Sequence, residues 1–255
     1  MILVYLDWVC LIISDMSNDW FQFRQFLILQ DQSAMKVGTD GVLLGAWADC
    51  ANCRTVLDIG TGTGLIALMV AQGNPHAAIT AIEIDPAAVG QAKENVQASL
   101  WPDRIEVIQA DFRSWEPAFD QKFDLIVCNP PFFTRSLKNP DIQKAMARHD
   151  DELPLAGLIS KSVGFLSPVG KLAMILPIAR IREALKMAAE NGLYLFRRMD
   201  IRGNINAPVK RVLLEWGKEE RTEEMEETEE LVVETGLRGM YSEEYKRLTQ
   251  QYYLA

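Results

Sequence analysis

The fold is decided by one short stretch, Leu57-Asp58-Ile59-Gly60-Thr61-Gly62-Thr63-Gly64. It starts inside a β-rich run and leads into an apolar helical run, so its three alternate glycines fall in a turn between a strand and a helix. Glycine lets the backbone turn sharply there and lets a ligand approach the main chain with no side chain in the way. The stretch therefore predicts a nucleotide-like ligand at the carboxyl end of a sheet.

Outward from this turn, short β-rich runs alternate with helical ones, which is typical of stacked βαβ units. Only a loop separates the last two β-rich runs, so these two are predicted to pair antiparallel. We therefore expect an α/β, Rossmann-like fold with a seven-stranded, mostly parallel sheet and a C-terminal antiparallel hairpin. The predicted strands are 55–59, 79–84, 105–109, 123–128, 171–176, 194–201 and 209–217, and the predicted helices are 64–73, 86–98, 152–167 and 178–191.

Acidic side chains close three successive predicted strands, at Asp58, Glu83 and Asp111. Each acid alone has an equally good structural explanation: Asp58 could cap a turn, Glu83 could be a surface residue and Asp111 could cap a helix. Gly62-x-Gly64-x-x-Ala67 also loosely matches a dinucleotide pattern. Asp58 would repel a pyrophosphate, however, and would suit the cationic amino group of S-adenosylmethionine. Glu83 could then hold the ribose hydroxyls and Asp111 the adenine amine. Three acids, with no arginine or lysine at these strand ends, favour a ligand without phosphate.

The chemistry is indicated by Asn129-Pro130-Pro131-Phe132, which follows the buried run 123–128. Proline fixes its own backbone and pushes the preceding residue out of the helical region, so the Asn129 side-chain oxygen and the Pro130 carbonyl become rigid acceptors. Two fixed acceptors suit an NH₂ group, and Phe132 can stack on a planar target. Asn129, Pro130 and Phe132 are therefore the predicted catalytic residues.

Composition excludes some classes of protein and leaves others open. With 49% hydrophobic and 24% charged residues, the 255-residue chain fits an ordinary globular protein, and no apolar run reaches the length of a membrane helix. The net charge is −9, but residues 215–234 hold ten glutamates against two cations, a local −8 that leaves −1 for the rest. Total charge thus argues neither for nor against a nucleic-acid partner. The tract 219–234 is expected to be a solvated helix or disordered.

Cysteine usage and the N-terminus suggest a cytoplasmic protein. The four cysteines are irregularly spaced with no credible secretory signal, which predicts reduced thiols. Cys50 and Cys53 have the spacing of half a zinc or redox site, but no second such pair exists, so we expect structural thiols and no metal. We expect Met16 to be the true start and residues 1–15 to come from an overextended reading frame. The alternative is that these residues form an extra strand or helix packed on the domain.

These residues carry a family resemblance. The glycine stretch together with Asn129-Pro130-Pro131-Phe132 resembles the class I S-adenosylmethionine-dependent amino-methyltransferases. A closer match covers nearly all of 20–255, through Phe21–Phe26, Met35–Trp47 and Ala147–His149, and resembles the bacterial adenine N6-methyltransferases of valine tRNA. The resemblance implies S-adenosylmethionine as cofactor and, as target, the adenosine immediately 3′ of the anticodon. It also implies that segment 16–54 covers the cofactor site of a 55–255 methyltransferase domain.

The resemblance extends to further site residues and to partners. Cofactor contacts are expected from Asp58, Gly60, Gly62, Gly64, Glu83, Asp111, Thr39 and Asp40, with Lys36 near the methionine end. The residues themselves give separate support for a tRNA partner. Basic residues follow the catalytic loop and lie on or around the final hairpin, and they would form a phosphate-holding rim if both sets flank the pocket; ordinary surface charges are the alternative. These basic residues are Arg135, Lys138, Lys144, Arg148, His149, Arg197, Arg198, Arg202, Lys210 and Arg211. The residues expected to meet the tRNA anticodon loop are Phe133, Arg135, Lys138, Arg148, His149, Lys210 and Arg211. We expect a monomer that uses neither membrane nor metal.

Other functions remain open at this point. Glutamine N5-methylation of a release factor and guanine N2-methylation of ribosomal RNA use the same chemistry. A non-catalytic S-adenosylmethionine sensor and a nicotinamide dehydrogenase belong to other classes, and both leave Asn129-Pro130-Pro131-Phe132 without a role. Release-factor methyltransferases usually add an N-terminal helical domain, for which the chain has little room ahead of its first strand.

Overall fold

The computed structural model describes residues 19–33, 35–130, 154–220, 227–236 and 239–254. Its strands are β1 (Trp20–Gln22), β2 (Leu27–Leu29), β3 (Thr55–Ile59), β4 (Ala78–Glu83), β5 (Ile105–Gln109), β6 (Phe123–Cys128), β7 (Leu166–Pro177), β8 (Tyr194–Asn204), β9 (Val209–Gly217) and β10 (Glu227–Glu234). Its α-helices are α1 (Thr39–Trp47), α2 (Leu65–Gly73), α3 (Pro86–Gln97), α4 (Leu155–Phe165), α5 (Ile181–Glu190) and α6 (Glu243–Thr249). Short 3₁₀ turns cover Ala118–Asp120 and Ile178–Arg180.

Eight strands form one sheet in the order β10-β8-β9-β7-β6-β3-β4-β5, and β1 and β2 form a separate antiparallel hairpin. All neighbouring strands of the large sheet are parallel except where β9 pairs with β7 and β8. The predicted α/β fold, its mostly parallel sheet and its antiparallel hairpin are confirmed. The sheet has one strand more than predicted.

That extra strand, β10, corrects the expectation for the acidic tract. Residues 227–234 are neither helical nor disordered but pair in parallel with β8 at the sheet edge. Leu231 and Val233 alternate into the core, and Arg197 and Arg202 of β8 pair with Glu229 and Glu230 of β10. Repulsion between the glutamates does not prevent 227–234 from forming a strand, because the neighbouring strand supplies opposite charge. Glu219 and Glu220 are exposed, and 221–226 lie outside the described residues.

Two hydrophobic cores cover the two faces of the sheet. Along β3, Val56 packs into the core that contains α1 and α2, whereas Leu57 packs into the core that contains α4 and α5. This alternation follows from the two-residue period of a strand. Asp85 caps α3 through a hydrogen bond from the Ala87 N–H, as the Asp-Pro pair at its start suggests.

The order of the strands fixes where a ligand can bind. The chain runs outward from β3 through β4 to β5 and then returns to β6 on the other side of β3. The crevice between the carboxyl ends of β3 and β6 is thus the switch point at which open α/β sheets bind ligands.

Several expectations concern features outside this crevice. Residues 1–15, Met16 and Cys10 lie outside the described residues. In the described ranges, no helix has the length and apolarity needed to span a membrane, and no three potential ligands cluster to hold a metal ion. Cys50, Cys53 and Cys128 are free thiols, and burial raises the pKa of Cys53 to about 12.

Candidate active site

The glycine stretch forms the first wall of the crevice. Gly60, Gly62 and Gly64 have φ angles of +70°, +57° and +83°, a region that favours glycine. A Cβ placed on Gly60 or Gly62 would meet no described atom within 4 Å, so this side of the turn is open to a ligand. The main chain can therefore be approached closely here, as the sequence predicts.

Side chains from three different elements hold consecutive residues of this turn. Asp58 accepts a hydrogen bond from the Thr61 hydroxyl at 2.6 Å, and Glu83 accepts one from the Gly62 N–H at 2.9 Å. Asn95 of α3 donates to the Thr63 carbonyl at 2.9 Å. The turn is thus fixed before any ligand arrives, which lowers the entropy cost of binding.

Asp58 is fully buried at the end of β3 and keeps one unused acceptor. Its Oδ2 accepts from the Thr61 hydroxyl and the Ala67 N–H, whereas Oδ1 has no hydrogen-bond partner among the described residues. Burial raises the pKa of Asp58 to about 7, against the opposing effect of those two hydrogen bonds. A buried carboxylate with a free oxygen fits a cationic group, because such a group would offset the cost of its burial.

Glu83, at the end of β4, uses both of its oxygens. Oε2 accepts from Gly62, and Oε1 accepts from the N–H groups of Ile84 and Asp85 at 2.8 and 3.0 Å. Since a carboxylate offers about four acceptor sites, Oε2 keeps room for a hydroxyl donor.

Asp111 lies after β5, as expected, but it has a cationic neighbour that the sequence analysis overlooked. Arg113 donates to both carboxylate oxygens through its side chain at 2.6 to 3.0 Å and also through its backbone N–H. These bonds lower the pKa of Asp111. The strand ends are therefore not free of arginine, and Asp111 must share its lone pairs with any cofactor amine.

The segment before β3 reaches the crevice through the first turn of α1. Thr39 begins the helix and is exposed. A Cβ on Gly41 would lie 3.8 Å from the Asn129 side-chain nitrogen and 3.1 Å from Leu65, the residue after the glycine turn. Lys36, by contrast, donates to the Gln30 carbonyl, so it ties the segment to the β1–β2 hairpin.

Asn129 and Pro130 form the second wall of the crevice. Cys128, the last residue of β6, is in register with Ile59, so Asn129 and Gly60 continue neighbouring strands. Both Asn129 and Pro130 are partly exposed. The other predicted residues of this loop lie outside the described residues; they are Pro131, Phe132, Phe133, Arg135, Lys138, Lys144, Arg148 and His149.

Most cations of the β8–β9 hairpin already have carboxylate partners. The pairs are Arg197 with Glu215 and Glu229, Arg198 with Asp200, Arg202 with Glu230, and Arg211 with Asp40. Lys210 is exposed and forms no salt bridge with the described residues. The hairpin therefore presents less uncompensated positive charge than its sequence suggests.

Two buried amides of α3 were missed by the sequence analysis. The Asn95 side chain accepts a hydrogen bond from the Leu29 N–H and donates one to the Leu29 carbonyl. The Gln91 side chain accepts a hydrogen bond from the Gln32 N–H. They lie on the buried face of α3 with Ala88 and Ala92. Polar residues on the apolar face of an amphipathic helix are the signal that could have revealed them.

Comparison with known proteins agrees with this arrangement. Residues 37–177 match the family model described as methyltransferase small domain. The chain belongs to this methyltransferase family. The methyltransferase is 46% identical over 240 residues to a protein of Bacteroides thetaiotaomicron named tRNA1(Val) (adenine(37)-N6)-methyltransferase, covering 94% of this chain and 99% of that one. A protein of the same name from Porphyromonas gingivalis is 44% identical, with 93% and 96% covered.

Solved structures of other methyltransferases share the fold of this chain. A predicted O-methyltransferase from Agrobacterium tumefaciens superposes with a TM-score of 0.64 at 18% identity, covering 84% of this chain and 96% of that one. A ribosomal protein L11 methylase from Lactobacillus delbrueckii gives 0.51 at 20% identity, with 70% and 77% covered. The methyl donor is S-adenosylmethionine. The open glycine turn would fit its nucleoside, and Asp58 Oδ1, which has no hydrogen-bond partner in the described part of the chain, would fit its cationic amino group.

Proposed function

We propose that the protein transfers a methyl group from S-adenosylmethionine to N6 of adenosine 37 in tRNA1(Val). The relatives of that name, which span nearly the whole chain, are the main support for this substrate. The geometry supports the reaction type, since an Asn-Pro pair ends β6 beside an open glycine turn.

The cofactor would be held by residues of three strand ends. The carboxylate of Asp58 would face the cationic amino group, and Oε2 of Glu83 would accept from a ribose hydroxyl. Gly60 and Gly62 would let the main chain contact the nucleoside without steric conflict. Asp111, together with Arg113, would border the adenine. Thr39 and Asp40 would close the methionine end from α1.

The reaction needs acceptors rather than a strong base. When bound, the cofactor supplies a sulfonium methyl group. The Asn129 side-chain oxygen and the Pro130 carbonyl would accept hydrogen bonds from the target NH₂ group, whose lone pair is delocalised into the adenine ring. As the nitrogen becomes sp³-like, its hydrogens would grow more acidic, so these fixed acceptors would bind the transition state more tightly than the ground state. Once the methyl group is attached, N6 would lose one proton to solvent and the neutral thioether S-adenosylhomocysteine would be released.

The substrate can be tested by direct competition between classes of acceptor. Purified protein with radiolabelled S-adenosylmethionine is offered unmodified total tRNA, ribosomal RNA and a release factor in separate reactions. We expect label in tRNA only. Label in the release factor, or in ribosomal RNA alone, would exclude the proposed substrate and leave one of the related amino-methylations.

A further inference from the structure

Helix α1 borders the crevice with its first turn. Gly41 lies beside both Asn129 and Leu65, so this turn touches both walls of the site. Among the described residues, no side chain caps the helix at Gly38. Its first turn must therefore be held in place by contacts other than a side-chain cap.

Two arginines of the β8–β9 hairpin hold α1, one near each end. Arg211 of β9 donates from Nε to Asp40 Oδ2 at 2.7 Å, in the first turn. Arg197 of β8 lies 4.3 Å from the centre of the Trp47 ring and donates to the Trp47 carbonyl at 3.3 Å, in the last turn. Asp40 and Trp47 are about 10 Å apart along the helix axis, so the two contacts span nearly its whole length.

The two arginines have different surroundings. Arg197 also lies 3.8 Å from Glu215, a fully buried carboxylate whose other cationic neighbour is Lys171 at 3.2 Å. Losing Arg197 would therefore disturb buried charge and lower stability. Arg211 and Asp40 are both about one-third exposed. An ion pair with this exposure changes the equilibrium constant of folding or binding by at most about fivefold. Arg211 is thus suited to orienting the helix rather than to stabilising the fold.

We propose that Arg211 is a positioning residue that holds the first turn of α1 against the cofactor site through Asp40. This assignment differs from a direct contact between Arg211 and an RNA phosphate, and it rests on the proposed function for the identity of the cofactor. Without Arg211, the first turn would move more freely, and S-adenosylmethionine would have to order it on binding.

The hairpin offers a matched control in Arg198. Its guanidinium pairs with Asp200 on the same strand at 2.8 and 2.9 Å, and its exposed fraction is close to that of Arg211. Because neighbouring residues of a strand point to opposite faces, Arg198 lies on the face opposite Arg197 and α1. Arg198→Ala thus removes one arginine-carboxylate pair from the hairpin without touching the helix.

The experiment compares Arg211→Ala, Asp40→Asn, the double variant and Arg198→Ala by three measurements. These are calorimetric titration with S-adenosylmethionine, amide hydrogen exchange of residues 41–45 in the free protein, and steady-state kinetics. We expect Arg211→Ala to raise the cofactor Kd and KM by about fivefold, to leave kcat unchanged, and to speed exchange in α1. Arg211→Ala should have no further effect in the Asp40→Asn background, and Arg198→Ala should change neither the cofactor Kd nor hydrogen exchange in α1.

Two results would contradict the proposal, and a third would contradict the proposed function. Unchanged exchange and cofactor affinity in Arg211→Ala would overturn the proposal. If Arg211→Ala instead weakened RNA binding and reduced its salt dependence while Asp40→Asn did not, Arg211 would hold a phosphate. Should the wild-type protein bind no S-adenosylmethionine, the proposed function would fail, but exchange in the free protein would still decide whether Arg211 holds the helix.

Discussion

Asn95 should stabilise both the fold and the cofactor turn, and replacing it with alanine separates these two effects. The side chain is 1% exposed and forms three hydrogen bonds, two with Leu29 at 2.8 Å and one with Thr63 at 2.9 Å. At about 1 kcal/mol each, their loss should lower the free energy of unfolding by about 3 kcal/mol. Losing the hydrogen bond to Thr63, which contributes about 1 kcal/mol, should by itself weaken cofactor affinity about fivefold.

Asn74 provides a control of equal chemistry at the other end of the sheet. It is also 1% exposed and forms three side-chain hydrogen bonds, to the carbonyls of Cys50 and Cys53 and from the His76 N–H, at 2.6 to 2.8 Å. It follows α2 and precedes β4, so it lies away from the carboxyl ends of the strands. Asn74→Ala should therefore cost similar stability and leave cofactor affinity unchanged.

The assay is urea unfolding followed by circular dichroism, together with calorimetric titration of S-adenosylmethionine into each folded variant. A loss below about 1 kcal/mol in Asn95→Ala would show that the three bonds contribute less than reasoned here. An equal loss of cofactor affinity in both variants would show that the effect is general loosening rather than release of the Thr63 carbonyl.

Three further predictions concern the crevice itself. Folding raises the pKa of Asp58 to about 7, so the neutral carboxyl favours the folded state. The free energy of unfolding of the cofactor-free protein should therefore fall as the pH rises from about 4 to about 7. The ionised form would attract the cofactor's amino group, so affinity measured by calorimetry should rise between about pH 5.5 and 7.5, and Asp58→Asn should abolish that rise. Gly62→Ala should lower the free energy of unfolding by about 1–2 kcal/mol, because φ is +57°, and should also block cofactor binding; a thermal melt and a titration check both. Asn129→Ala should lower kcat by about 10²–10³ with cofactor affinity retained, and a tenfold loss or less would mean that the acceptor role is misassigned.

The fold was largely predictable because the central strands are short, mostly buried runs that alternate with helical ones. All seven strands predicted from the β-rich runs are present. Strands β1 and β2 have three residues each, which is too short to produce a periodic pattern. Strand β10 was missed because its glutamates suggested repulsion, and a single segment does not reveal the arginines of the strand beside it.

The local geometry of the candidate site was predictable where the backbone required a particular residue. The three glycines at positive φ, and the acid at each of three strand ends, follow from local sequence. Contacts between distant segments do not. Asn95 and Thr63 are 32 residues apart, and Asp40 and Arg211 are 171 apart, so only the folded chain brings them together. The short-range Asp111–Arg113 pair could have been noticed from its two-residue spacing.

The most direct test of the account uses two transcripts of tRNA1(Val), one with adenosine at position 37 and one with guanosine there. Each is incubated with the protein and radiolabelled S-adenosylmethionine, digested to nucleosides and separated by chromatography. We expect label only in the adenosine transcript, and only as N6-methyladenosine. Equal label in both transcripts, or label in any other nucleoside, would contradict the claim that the acceptors after β6 present an adenine amine to the methyl donor.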